Sequence, residues 1–142
     1  MTTAGPPDLD LSAAKTAVDA ASGLVGEAAR KLADKTDGGR RLDDEQVFAY
    51  DLAHAAAGVH TAAAALRYGE YGPTETALAT AFAGDVVADL VARTAGREAT
   101  WACKAGWHGE LSEWLRAARS PELLASLAET PGPVHLDEDF EL

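Results

Sequence analysis

Residues 47–69, VFAYDLAHAAAGVHTAAAALRYG, and residues 74–101, TETALATAFAGDVVADLVARTAGREATW, decide the fold. Both are long, Ala-rich and free of strand alternation, and Glu70-Tyr71-Gly72-Pro73 separates them with residues that interrupt helix. Two helices joined by so short a connection pack as antiparallel neighbours. In the first run Val47, Tyr50 or Asp51, His54, Ala57 and Leu66 do not fall on one stripe. That helix is therefore expected at the centre, covered on more than one side. In the second run Leu78, Phe82, Val86, Val87, Leu90 and Val91 make a broad apolar face, expected to be core. Asp85, Asp89, Arg93 and Arg97 recur at steps of four along another edge, acid before base, as pairing along a helix and its dipole both favour.

Upstream, Leu11, Ala14, Val18, Ala21, Val25, Ala28 and Leu32 form one apolar stripe behind a cap at Asp8 or Asp10. Glu27 and Lys31 are spaced to pair on its wet side. Ser22-Gly23 and Gly26 weaken that helix by about 1–2 kcal/mol relative to Ala, so packing must compensate or the helix bends. Residues 36–41, Thr-Asp-Gly-Gly-Arg-Arg, read as a stop and a loop, with Arg40 and Arg41 solvated opposite Asp43, Asp44 and Glu45. Asp43 with Gln46 has the form of a capping box.

Downstream, Gly96 and residues 101–107 break the helix, and residues 110–119 resume helical spacing through Leu111, Trp114, Leu115 and Ala118. Ser120-Pro121 starts a last helix whose apolar face is Leu123, Leu124 and Leu127, and Pro131-Gly132-Pro133 stops it. The expectation is an all-α, antiparallel helical bundle of about four to five helices with short loops. Its boundaries are a disordered start over residues 1–8, the bundle over 9–130, and an acidic tail or linker over 131–142.

At 142 residues the chain suits one modest domain. Hydrophobic residues make up 47% but aromatics 6%, and the difference is Ala, which predicts closely approached helices with thin side-chain layers. A net charge of -11 and a pI near 4.6 repel phosphate backbones and anionic lipid, arguing against nucleic-acid and membrane partners. Cys103 is the sole cysteine, and no export signal or membrane span is legible, so a cytoplasmic location is expected.

Asp51-Leu52-Ala53-His54 has the carboxylate and imidazole spacing of a di-metal bundle, but in one copy. His60, His108 and His135 are scattered, no serine sits in a strained-turn motif, and no Gly-rich phosphate loop follows a strand. The residues nominate no catalytic, cofactor-binding or metal-binding side chain. Trp101, Trp107 and Trp114 read first as inter-helix anchors and, if exposed together, as a docking surface. The candidate interaction surface is thus Asp85, Asp89, Arg93, Arg97, Trp101, Trp107 and Trp114, facing a neighbouring domain, a subunit or a second copy in a homo-oligomer.

DEQVFAYDLAHAAAGVHTAAAALRYGEYG (44–72), GREATW (96–101), SPELLASLAE (120–129) and PGPVHLDEDFEL (131–142), in this order and spacing, resemble the N-terminal helical extension of actinobacterial acyl-CoA dehydrogenase-like flavoproteins. The resemblance runs from about residue 43 onward. It implies an accessory helical module of an enzyme that uses FAD to oxidise acyl-CoA thioesters in lipid metabolism, with the dehydrogenase-type catalytic domain or subunit as partner. None of that family's flavin, thioester or catalytic positions maps onto a residue of this sequence, so no cofactor is expected in this chain alone. The second reading is a free-standing helical protein-interaction module unrelated to acyl-CoA chemistry.

Overall fold

Asp10 starts the first helix in the computed structural model, which describes residues 9–129. The expected disordered start over 1–8 and the acidic tail over 131–142 lie outside the described residues. The Asp10 carboxylate accepts from the Ser12 backbone N–H at 2.9 Å, satisfying one of the free donors of α1 (Leu11–Lys35). This helix runs without a break through Ser22, Gly23 and Gly26. Its buried stripe is Ala14, Ala17, Val18, Ala21, Val25, Ala28 and Leu32, the anticipated one with Ala17 added, while Leu11 is half-buried at the end. Packing on that stripe offsets the weak propensity.

The expected Glu27–Lys31 pair does not form. Glu27 takes Arg30 instead, and the Lys31 ammonium donates to the backbone carbonyl of Ala99, a tertiary partner that spacing within a helix does not reveal. Asp37, Gly38 and Gly39 turn the chain at φ 53, 68 and 92°. Arg40 and Arg41 are not opposite the acids at 43–45: Arg40 lies 3.8 Å from Asp37, Arg41 donates to the Lys35 carbonyl at 3.1 Å, and Lys35 takes Glu45 at 2.8 Å.

A 3-10 turn over Leu42–Glu45 precedes α2 (Gln46–Tyr68). The tighter winding displaces the expected capping box, leaving Gln46 Nε2 donating to Asp43 Oδ1 at 3.3 Å, side chain to side chain. The third helix, α3 (Pro73–Thr94), opens on proline, and the Thr76 hydroxyl donates to the Gly69 carbonyl at 2.6 Å across the turn. A single turn, α4 (Glu98–Trp101), ends at Ala102 in the left-handed region at φ 54°. A 3-10 turn over Gly109–Leu111 leads into α5 (Ser112–Ala118). Ser120 Oγ accepts from the Leu123 N–H at 3.1 Å at the start of α6 (Pro121–Glu129), as anticipated. The described residues are all-α and contain no strand.

The three long helices run up, down and up. Lys15 reaches Glu70 at 2.9 Å at one end of the α1–α2 pair and Lys35 reaches Glu45 at the other, so these two helices are antiparallel. Asp51 meets Arg93 and a β-carbon at Gly58 would lie 3.6 Å from Val86, which makes α2 and α3 antiparallel too. The shorter helices close the open end and one flank.

Three core expectations are corrected. The α2 helix packs on both long neighbours, as expected of a central helix, but its buried positions are Phe48, Leu52, Ala55, Val59, Ala62 and Leu66. Val47, Tyr50, His54 and Ala57 face outward, because Phe48 sets the register by packing edge-on against Trp101 at 5.2 Å. In α3 the interior belongs to small side chains: Ala77, Ala79, Thr80, Ala83, Gly84 and Thr94 line it with Val87 and Leu90. Leu78 and Phe82, expected inside, are 38% and 40% exposed. With α1, α2 and α5 all against this helix, the positions nearest its neighbours have room only for the smallest residues. Likewise Leu124, expected on the inner face of α6, is exposed while Leu123 is enclosed.

A β-carbon at Gly84 would lie 2.8 Å from the Ala118 β-carbon, inside contact distance. Gly84→Ala is therefore expected to lower stability by about 1–3 kcal/mol through overpacking of α5 on α3. Gly23→Ala, at a site with nothing within 4 Å, is expected to raise it by about 0.5–1 kcal/mol. Urea unfolding of the two variants beside the parent checks both signs.

Candidate interaction surface

The four charges of the expected ladder divide into different structures. Arg93 binds two carboxylates at once: its Nε donates to Asp89 at 2.7 Å, one turn back on α3, and an Nη donates to Asp51 on α2. Arg97, beyond the end of α3, stands 3.4 Å from the other Asp51 oxygen. The hydrogen bond that Arg93 donates to Asp89 raises the Arg93 pKa above its usual value, against a loss of hydration, with Asp51 adding to it. The Asp51 side chain is 16% exposed and that of Arg93 27%, so this contact is shielded and ties α2 to α3. Asp85 does not continue the ladder and instead lies 3.7 Å from Arg119 on the far flank, an exposed contact worth about 0–1 kcal/mol.

Asp51 and His54, spaced for a metal, have different partners. Asp51 is held by guanidinium groups, while His54 is exposed with its ring edge-on to Tyr50 at a centroid distance of 4.4 Å.

The three tryptophans do not form a surface together. Trp101 is 0% exposed and packs at the end of the bundle against Phe48, so its first reading as an inter-helix anchor holds and its place on the candidate interaction surface is corrected. Trp107 is half-buried and its indole N–H donates to the Thr94 hydroxyl at 3.0 Å, pinning the irregular segment to the end of α3. Trp114, half-buried on α5, packs against the same core.

The uncovered apolar surface lies elsewhere, on side chains expected to be internal. Val47 and Tyr50 on α2 are 84% and 70% exposed. Spacing carries their stripe on through His54, Ala57 and Thr61, all exposed. Leu78 and Phe82, one turn apart on α3, are partly exposed toward the other end of the α2–α3 pair, and Leu42 adds an apolar side chain before α2. Leu42, Gln46, Val47 and Tyr50 also line a shallow groove of about 560 Å³. No helix among the described residues covers Val47, Tyr50, Leu78 or Phe82. The signal available in the sequence was the poor fit of Val47, Tyr50 and His54 to a stripe shared with Leu66, which marks two differently directed faces.

Cys103 is half-buried, and loss of hydration, with Glu98 adding to it, raises its thiol pKa above the usual value. Among the described residues no group of three metal-binding side chains converges, and no helix is long and apolar enough to cross a membrane. No family model, no curated protein and no solved structure matches the chain.

Asp51→Ala is expected to cost about 1–3 kcal/mol by leaving Arg93 part-buried with one carboxylate, whereas Asp85→Ala is expected to change stability by under about 0.5 kcal/mol. Chemical denaturation of each checks the contrast. For Cys103 the raised pKa keeps the thiol neutral near pH 7, so the thiolate fraction rises only at more alkaline pH than for an unstructured cysteine. Iodoacetamide alkylation of native protein should accordingly be slower than that of the urea-unfolded chain at pH 8, and the rate–pH midpoint should lie higher.

Proposed function

We propose that this chain is an accessory, non-catalytic helical module whose work is to pack against another protein through the outer face of α2 and α3. The observation that carries the reading is the exposure of large apolar side chains on this pair of helices, Val47 and Tyr50 toward one end and, partly, Leu78 and Phe82 toward the other, while alanines take many of the interior positions. Burying bulky side chains at a partner supplies the area that thin alanine layers do not. The Asp51–Arg93–Asp89 contact keeps α2 and α3 in fixed register beneath it, so the face is rigid before it binds.

The proposed partner is the catalytic domain or subunit of an acyl-CoA dehydrogenase-like flavoprotein. Support for this comes from the resemblance from about residue 43 to residue 142 alone, and FAD belongs in this reading to the partner. A reducing, cytoplasmic setting fits the lone, half-buried Cys103. A second copy is the weaker occupant, since two chains of net charge -11 repel on approach. The rival reading, a free-standing interaction module outside acyl-CoA metabolism, rests on the same exposed face, which does not by itself specify a flavoprotein.

Affinity capture from source cells with the 142-residue chain as bait separates the two. The flavoprotein reading expects a yellow, FAD-containing acyl-CoA dehydrogenase-type protein in the eluate, lost with the Val47→Glu/Phe82→Glu double variant, and a colourless chain when purified alone. Capture of an unrelated protein, lost with the same variant, favours the rival. Tight flavin recovered with the isolated chain overturns the non-catalytic assignment.

A further inference from the structure

The short helix α5 sorts its charges between two sides. Glu113 lies with Glu110 and Trp114 along one groove, whereas Arg116 lines a second, open groove of about 530 Å³ with Leu115, Arg119, Ser120 and Pro121. No acidic side chain among the described residues lines this second groove. Arg116 is exposed and has no ion-pair partner among the described residues, and Arg119 has only the exposed Asp85 at 3.7 Å. On a chain of net charge -11, two neighbouring guanidinium groups with so little acid beside them favour an anionic occupant.

The sequence itself supplies one. Residues 130–142, TPGPVHLDEDFEL, follow α6 directly and carry Asp137, Glu138, Asp139 and Glu141 with no lysine or arginine. Pro121, the first residue of α6, lines the groove, and Glu129, the last, leads into this stretch. A helix of nine residues is about 13 Å long, so that is the distance the chain must retrace. Residues 130–136 span up to about 23 Å when extended, which is enough. Pro131-Gly132-Pro133, which interrupts helix, stands where the chain must turn back. A tether this short gives a local concentration on the order of mM, an advantage that no separate acidic peptide has against the repulsion of an acidic protein.

We propose that residues 136–141 dock within the same molecule in the groove between α5 and the start of α6. Their carboxylates accept from the Arg116 and Arg119 guanidinium groups, and Phe140 lies against Leu115 and Pro121. None of Val47, Tyr50, Leu78 and Phe82 lines this groove, so the inference is independent of the proposed docking of a partner on α2 and α3.

The test is nuclear magnetic resonance of the full chain at low salt. Backbone order parameters of residues 136–141 should exceed about 0.6, and Overhauser contacts should join the Phe140 ring to the Leu115 methyl groups. Arg116→Gln/Arg119→Gln should release the segment to values below about 0.6. Arg40→Gln/Arg41→Gln, an equal loss of charge elsewhere, should not. The reciprocal variant Asp137→Asn/Asp139→Asn, which changes no residue of the bundle, should release it as the first pair does, and so should salt of about 1 M. Order parameters below that value in the parent chain, equal effects of the two arginine pairs, or a segment unaffected by the reciprocal variant would each overturn the proposal. So would Phe140–Leu115 contacts that arise between differently labelled copies, since these would place the segment on a second molecule.

Discussion

The closeness of the helices is the constraint from which the rest of the structure follows. Ala14, Ala17, Ala21 and Ala28 on α1, Ala62 on α2, and Ala77 and Ala83 on α3 are all fully enclosed, so single methyl groups alternate with Val18, Leu52, Val59, Leu66 and Val87 in the layers between the long helices. Dispersion contacts among backbones and small side chains then replace the interlocking of large ones. Such layers contribute little apolar area per residue. The larger contributions come from the ends and edges, where Trp101, Phe48, Leu90 and Leu123 are enclosed.

That closeness determines what was legible in the sequence and what was not. The α1 stripe was read almost residue for residue because α1 lies on the outside of the bundle and covers one face, the case for which a simple helical period suffices. The Ser120 cap was legible because its partner is three residues away. The inner face of α3 was read correctly at Val87 and Leu90, with Val86 and Val91 packed against the core, but wrongly at Leu78 and Phe82. Large apolar residues are normally the interior ones, yet here Gly84 beside Ala118 and Ala79 beside Gly69 occupy the contacts, and Leu78 and Phe82 are displaced to the surface. Bulk and burial are uncoupled wherever three neighbours crowd one helix.

The charged residues failed to read for a different reason. Spacing along one helix predicts partners on that helix, and Arg93 with Asp89 obeys it. Asp51, Arg97, Lys31 and Arg119 instead found partners on other segments, because a long flexible side chain reaches across a narrow seam as easily as up its own helix. Trp101 illustrates the same limit. Its sequence neighbours, Thr100 and Ala102, give no sign that the chain folds it back into the end of the bundle, where Phe48 meets it. The interaction surface anticipated from the sequence thus became partly a clamp and partly core, and the uncovered face lies on residues read as core.

Rigidity and exposure on the α2–α3 face are coupled through one contact. A face meant to bind must hold its shape without help from what covers it, and the thin layer between α2 and α3, with Gly58 beside Val86, offers few interlocking side chains to fix their register. The shielded Asp51–Arg93 bond supplies a directional constraint that alanine contacts lack. Sliding of α3 by one helical turn would take Arg93 away from Asp51 and leave it only Asp89, which moves on the same helix. The shielded Asp51–Arg93 contact therefore ties α2 to α3 in the register in which Val47 and Tyr50 toward one end and Phe82 toward the other are exposed.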